Sequence, residues 1–131
     1  MLYSVKITYA VRIIDALKEG NHMTLDEICE AYSVPKAWGY KIAKQLHKAG
    51  FVSIKRGRFG GYSLDRNLRD YTMWDLVTTV ETDMEVYSCI SGPCPLGKDK
   101  ESCALYRDVV EIQIGMEKLL NEKSMYETLF R

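Results

Sequence analysis

Residues 34–64, VPKAWGYKIAKQLHKAGFVSIKRGRFGGYSL, decide how the rest of this 131-residue chain is read. Pro35 belongs in the first turn of a helix, where a missing N–H breaks no bond. Ile42, Leu46 and Ala49 recur at helical spacing and mark one buried stripe. Gly50 stops the helix. Phe51, Val52 and Ile54 then form a short apolar strand, and Tyr62 and Leu64 alternate on the return. Between the strands, Gly57, Gly60 and Gly61 permit tight turns and Arg56 and Arg58 crowd positive charge onto the tip. A basic helix followed at once by an arginine-tipped hairpin is the order that a winged helix-turn-helix uses on DNA. The helix enters the major groove, and the wing lies along a phosphate strand or in the minor groove.

Upstream, Met1 to Glu19 reads as a first helix with Ala10, Val11, Ile13, Ile14 and Leu17 buried, ended by Gly20-Asn21. Thr24-Leu-Asp-Glu27 is a capping box that opens a second helix. The brief turn Ser33-Val34, with Ser33 as N-cap of the next helix, completes a helix-turn-helix. Downstream, Thr72-Met-Trp-Asp75 starts a short amphipathic helix, and residues 83–103 form a long loop with three cysteines. Ala104 to Glu122 resumes as a helix. Val109, Ile112, Met116 and Leu119 step by three, four and three, as in a coiled-coil seam, and predict a homodimer. Ser124 caps a last short helix. The expected fold is mainly α with a small β-hairpin wing. A winged helix-turn-helix domain spans residues 1–71, and a cysteine loop with dimerisation helices spans 72–131.

The formal net charge is zero, but it is unevenly spread. Residues 1–69 carry twelve Lys/Arg against six Asp/Glu, and residues 70–131 carry the reverse. Residues 36–69 hold nine basic residues and one acid, Asp65. Local charge rather than the total sets phosphate affinity, so the first half is the polyanion-binding end. A basic patch alone is often only a solvated face; the order of helix, turn and wing argues otherwise. No apolar run approaches membrane-spanning length and no signal peptide opens the chain, which makes the cytoplasm the expected compartment.

The residues expected to touch double-stranded DNA are Lys36, Ala37, Trp38, Tyr40, Lys41 and Lys44 of the recognition helix, with Arg56, Arg58, Gly60 and Gly61 of the wing. Trp38 and Tyr40 would pack on sugar–phosphate or thymine methyls, core packing being the alternative. The lysines suit phosphate better than bases, because an ammonium is a point charge.

Cys89, Cys94 and Cys103 form C-x4-C-x8-C. Grouped cytoplasmic cysteines are more often metal-binding or redox-active than disulfide-bonded. The paired C-x2-C knuckles of structural zinc are absent. Three thiolates suit an iron–sulfur cluster with one ligand from elsewhere. Cys29 lies on an apolar helix face and reads as a small buried hydrophobe. His22 and His47 have nothing distinctive beside them.

The wing GRFGGYSL, the preceding HKAGFVSIKR, the opening YAVRIIDAL and the triple-cysteine loop before a long helix resemble the IscR/NsrR type of bacterial regulators, the Rrf-type (BadM-like) winged-helix family. The likeness runs from Tyr9 to Phe130. It implies a dimeric transcription factor, often a repressor, that dimerises through the long helix. In several members three cysteines hold a two-iron or four-iron cluster that senses iron–sulfur status, nitric oxide, redox state or iron; others bind no cluster. The resemblance places Cys89, Cys94 and Cys103 at the ligand positions, Trp38 to Lys41 in the base-reading segment and Arg58, Gly60 and Gly61 in the wing. Where some members carry a ligating histidine three residues after the last cysteine, this chain has Tyr106, and where others carry an acid near the N-terminus it has Thr8. Glu85, Asp99, Glu101, a tyrosine or an external molecule are the substitutes.

Three other readings compete. One keeps DNA binding but makes the cysteines a thiol switch or a zinc site. One is a cysteine-nucleophile enzyme, which two histidines, one of them on the DNA-facing helix, poorly support. One is a winged-helix protein-interaction module. No catalytic residue is expected.

Overall fold

In the computed structural model, which describes residues 4–130, six α-helices surround one antiparallel hairpin. The order is α1 Val5–Ala16, α2 Leu25–Ala31, α3 Lys36–Lys48, β1 Val52–Lys55, β2 Gly61–Leu64, α4 Met73–Val80, α5 Ala104–Asn121 and α6 Met125–Leu129, with 3-10 turns at Leu68–Asp70 and Lys100–Ser102. The first residues of the expected first helix, 1–3, lie outside the described part.

Local chemistry sets most boundaries. Thr24 Oγ accepts from Glu27 N at 3.2 Å while Glu27 Oε1 accepts from Thr24 N at 3.3 Å, so the capping box forms. Thr72 and Asp75 repeat it at α4, and Ser124 Oγ caps α6 through Glu127 N. Gly50 takes φ +83°, and the amides of Gly50 and Phe51 return to the carbonyls of His47 and Leu46. That pair of bonds is a Schellman closure, and it swings the chain from α3 straight into β1.

Ser33 departs from expectation. It is not the cap of α3, which begins after Pro35 without a side-chain cap. Ser33 adopts φ +54° in the turn, and Arg12 Nη1 donates to its carbonyl at 3.0 Å. A left-handed residue reverses the chain more tightly than a cap does, and the arginine helps to hold it there.

The core joins α1, α3 and α4. Ile13, Ile14, Leu17, Ile42, Leu46, Phe51, Leu76 and Val77 are buried, each worth roughly 1.5–3 kcal/mol over the exposed state. The core crosses residue 71, because Leu76, Val77, Val80 and Met125 bury with the helices before it. The C-terminal end of α5 is stitched back to that point. Thr72 Oγ donates to Asn121 Oδ1 at 2.8 Å, Thr72 bridges Ser124, and Met125 N donates to the Tyr71 carbonyl at 2.8 Å.

Candidate nucleic-acid interface and cysteine cavity

Helix α3 buries Gly39, Ile42, Ala43 and Leu46 and turns Lys36, Ala37, Trp38, Tyr40, Lys41 and Lys44 outward. Gly39 is the contact that brings α2 against α3. A Cβ there would stand 2.5 Å from Cys29 Sγ, so only glycine fits, although glycine in a helix costs roughly 1 kcal/mol against alanine. The sequence signal was a glycine inside a strong helical pattern. Cys29 is buried as expected, and burial pushes its thiol pKa up.

Trp38 divides between the two readings. Its ring leans on Tyr9, centroids 6.4 Å apart, yet it remains 37% exposed, with Lys41 Nζ 5.3 Å from its centroid. Tyr40 donates to Asp26 Oδ1 at 3.4 Å, and Lys36 Nζ stands 3.8 Å from the same oxygen. Both members of that ion pair are mostly exposed, so it contributes little. Among the described residues no ion pair involves Lys41, Lys44, Arg56 or Arg58.

The hairpin pairs Val52 with Leu64 through Lys55 with Gly61. A single backbone bridge from the α1–α2 link, which no local sequence pattern signals, braces it. Met23, in the α1–α2 link, exchanges two backbone bonds with Tyr62, at 3.0 and 2.7 Å. His22 Nε2 donates to the Phe59 carbonyl at 2.8 Å, which gives that histidine a role that nothing near it in sequence signals. Gly60 and Gly61 are required by these approaches. A Cβ on Gly60 would collide with the Lys55 carbonyl, and one on Gly61 would stand 2.7 Å from the Met23 carbonyl. Arg56, Arg58 and Phe59 are left exposed at the tip. Burial raises the Tyr62 pKa, with Tyr40 of α3 a lesser contributor. The arrangement presents two cation-bearing projections on a rigid frame.

The second region is the loop between α4 and α5. Cys89, Cys94 and Cys103 line one cavity of about 280 Å³ with Tyr87, Tyr106 and apolar walls from Pro95, Leu96 and Leu105. The three thiols therefore share a cavity, but among the described residues no three His, Cys, Asp or Glu groups converge closely enough for a metal ion. The backbone amides of Lys98 and Leu96, and to a lesser degree Gly97, lower the Cys94 pKa. Two of the three carboxylate substitutes are engaged elsewhere: Glu85 accepts from Ser91, and Asp99 caps the 3-10 turn, on which Glu101 lies exposed. Tyr106 and Tyr87 are the oxygen donors that line the cavity.

Gln113 fixes the loop to α5. This buried amide accepts from Val86 N at 2.8 Å and donates to the Met84 carbonyl at 3.2 Å and to Glu117 Oε1 at 3.1 Å. The expected seam residues divide accordingly. Val109 and Met116 are buried on the Gln113 side, against the chain itself, whereas Ile112 and Leu119 are exposed, Leu119 by 69%. Helix geometry explains the split, since residues three apart diverge around the axis and only a seven-residue step keeps one outward line. That line here is Leu105, Ile112 and Leu119.

Three helices, a tight turn and a hairpin of this order define a winged helix-turn-helix protein. The Rrf2 family, described as iron-dependent transcriptional regulators, matches residues 3–129, and the chain belongs to that family. It is 32% identical over 94 residues to an rrf2-like HTH-type transcriptional regulator of Rhodobacter capsulatus, covering 69% of this chain and 63% of that relative. It is 26% identical over 117 residues to the HTH-type transcriptional regulator NsrR of Bacillus subtilis, covering 87% and 73%. The fold is similar to that of CymR, the global cysteine regulator of B. subtilis, with TM-score 0.76 at 19% identity over 97% of this chain and 95% of that one. No helix among the described residues is long and apolar enough to cross a membrane.

Proposed function

We propose that the chain is a homodimeric, sequence-specific DNA-binding transcriptional regulator, acting as a cytoplasmic repressor. The observation that carries this is the set of exposed cations, unpaired apart from Lys36, on α3 and the wing tip. Trp38, Tyr40 and Lys41 read base edges or pack on the backbone, Lys36 and Lys44 hold phosphate, and Arg56 and Arg58 enter the minor groove. Residues 1–71 do the gripping and 72–131 the sensing and pairing. The dimer forms along Leu105, Ile112 and Leu119, where Gly115 leaves open space for a partner helix. The test is fluorescence anisotropy on a duplex that the protein enriches from a random pool. Affinity falls steeply with salt, and replacing both Arg56 and Arg58 by alanine lowers the log–log slope by about two. A slope unchanged by that substitution removes the wing from the interface.

The family description as iron-dependent supports an iron–sulfur cluster held by Cys89, Cys94 and Cys103. The donor set fits: soft sulfur ligands in one cavity, one of them with a pKa lowered by backbone amides. The bound cluster supplies a centre responsive to redox state, nitric oxide or iron. The chain's own residues do the rest. Cys103 sits at the start of α5, and Gln113 ties the front of the loop to the same helix, so reordering of the loop acts on the dimer stripe. A bias of roughly 1–3 kcal/mol between two arrangements changes DNA affinity about five- to 150-fold. A second reading is favoured by the depressed Cys94 pKa together with the lack of converged ligands: the thiols themselves are the switch. Anaerobic reconstitution with iron and sulfide separates the two. Visible absorbance that disappears in Cys94→Ala supports the cluster; colourless protein whose DNA binding responds to oxidant and reductant supports the switch.

A further inference from the structure

We propose that Phe59, at the apex of the wing, is a wedge that inserts between base pairs and bends the duplex. The proposal rests on the reading of the chain as a DNA binder and assigns a residue which that reading leaves unused. A lone exposed phenylalanine means little. This one is 75% exposed in the turn between the strands, one residue past its midpoint, with an arginine directly before it. Its ring centroid stands 5.8 Å from the Arg58 guanidinium. Its backbone is held: His22 Nε2 binds its carbonyl at 2.8 Å, and Gly60 N closes on the Gly57 carbonyl at 3.0 Å. The packing at Gly60 and Gly61 leaves the tip no room to re-form around a larger residue.

A held tip with a bare aromatic ring beside Arg58 matches what minor-groove wedges need. The arginines hold the ring in the groove by phosphate attraction, and the ring repays partial unstacking with apolar contact. Such wedges kink DNA by roughly 20–90°, most cheaply at TA or CA steps. The wing would thus read deformability rather than base edges, which adds a sequence preference beneath the tip.

The experiment uses full-length protein and a duplex enriched from a random pool, carrying donor and acceptor dyes at its ends and 2-aminopurine at TA and CA steps. Wild type raises energy transfer and brightens the 2-aminopurine at one step per half-site. Phe59→Ala loses both signals and about tenfold in affinity, while Phe59→Leu, which keeps an apolar wedge, retains most of the bend. All three proteins share one salt slope, because phosphate contacts are untouched. An unbent wild-type complex, or a Phe59→Ala complex bent like wild type, overturns the wedge alone. A Phe59→Ala protein whose sedimentation shows a changed oligomeric state also overturns it, by making the ring a contact between copies. Wild-type protein that enriches no duplex and shows no salt-dependent binding overturns the DNA reading and the wedge together.

Discussion

Two cysteines show how differently the two halves of the molecule are built. Cys29 lies in the crossing of α2 and α3, against Gly39, and burial raises its pKa. Cys94 lies in the loop before α5, where backbone amides lower its pKa. In the first region side chains are locked by close packing, and the wing is tied back by Met23 and His22. In the second, no residue between Glu81 and Glu101 is fully buried, and the loop hangs on a few polar anchors of which Gln113 is the chief. A frame completed before its partner arrives suits recognition. A loop held by a few hydrogen bonds suits a part that a ligand must reorganise.

That contrast can be broken most severely in the frame. Leu46→Ala, at a fully buried site, should destabilise the protein by roughly 2–5 kcal/mol, read as a fall in denaturant midpoint without a change in slope. A smaller loss would mean that the first region is looser than its burial indicates. Next comes the anchor. Gln113→Leu removes both partners of the loop backbone and should cost about 1–3 kcal/mol. Hydrogen exchange would locate the loss: amides of residues 82–103 exchange faster while those of α1–α3 keep their protection. Uniform acceleration would deny that the loop is a separate unit.

The third effect concerns acidity. Nearby backbone amides lower the Cys94 pKa, so its proton leaves at lower pH than that of an ordinary thiol. Alkylation followed by peptide mass spectrometry should show Cys94 reacting at neutral pH while Cys29 stays protected until unfolding. Equal protection would place Cys94 in a closed environment instead. The smallest effect is expected at Leu96, which is 75% exposed. Leu96→Ala should change stability by less than about 0.5 kcal/mol, and a larger loss would reveal packing that the loop is not credited with.

The features legible in the sequence are those with local causes. Capping boxes at Thr24 and Thr72, the stop at Gly50 and the glycines of the wing each follow from one or two residues' own preferences. The cation set of α3 and the wing was equally readable, since charge needs no partner to be counted. What escaped depends on distant partners. Met23 forms a bridge only because Tyr62 lies beside it, 39 positions on, and His22 gains a role from a carbonyl at position 59. Gly39 matters through the sulfur of another helix. The three-four-three apolar step on α5 was correctly helical, but which residues face inward was decided by Gln113, a polar side chain on the inner face that marks where the loop docks. Ser33 has an N-cap's composition and sits two residues early, because the turn needed its backbone conformation more than its hydroxyl.

The stitching of α5 to Thr72 and Tyr71 gives the helix a fulcrum. Eighteen residues of α-helix span about 27 Å, with the anchor point at Asn121 and Cys103 at the opposite end. A tilt of only about 5° about that fulcrum would carry the far end roughly 2 Å, on the same 1.5 Å rise per residue. A modest rearrangement among three sulfurs would thereby be transmitted along a rod, and the outward leucines it carries would change their angle to a second copy without any change inside the winged frame.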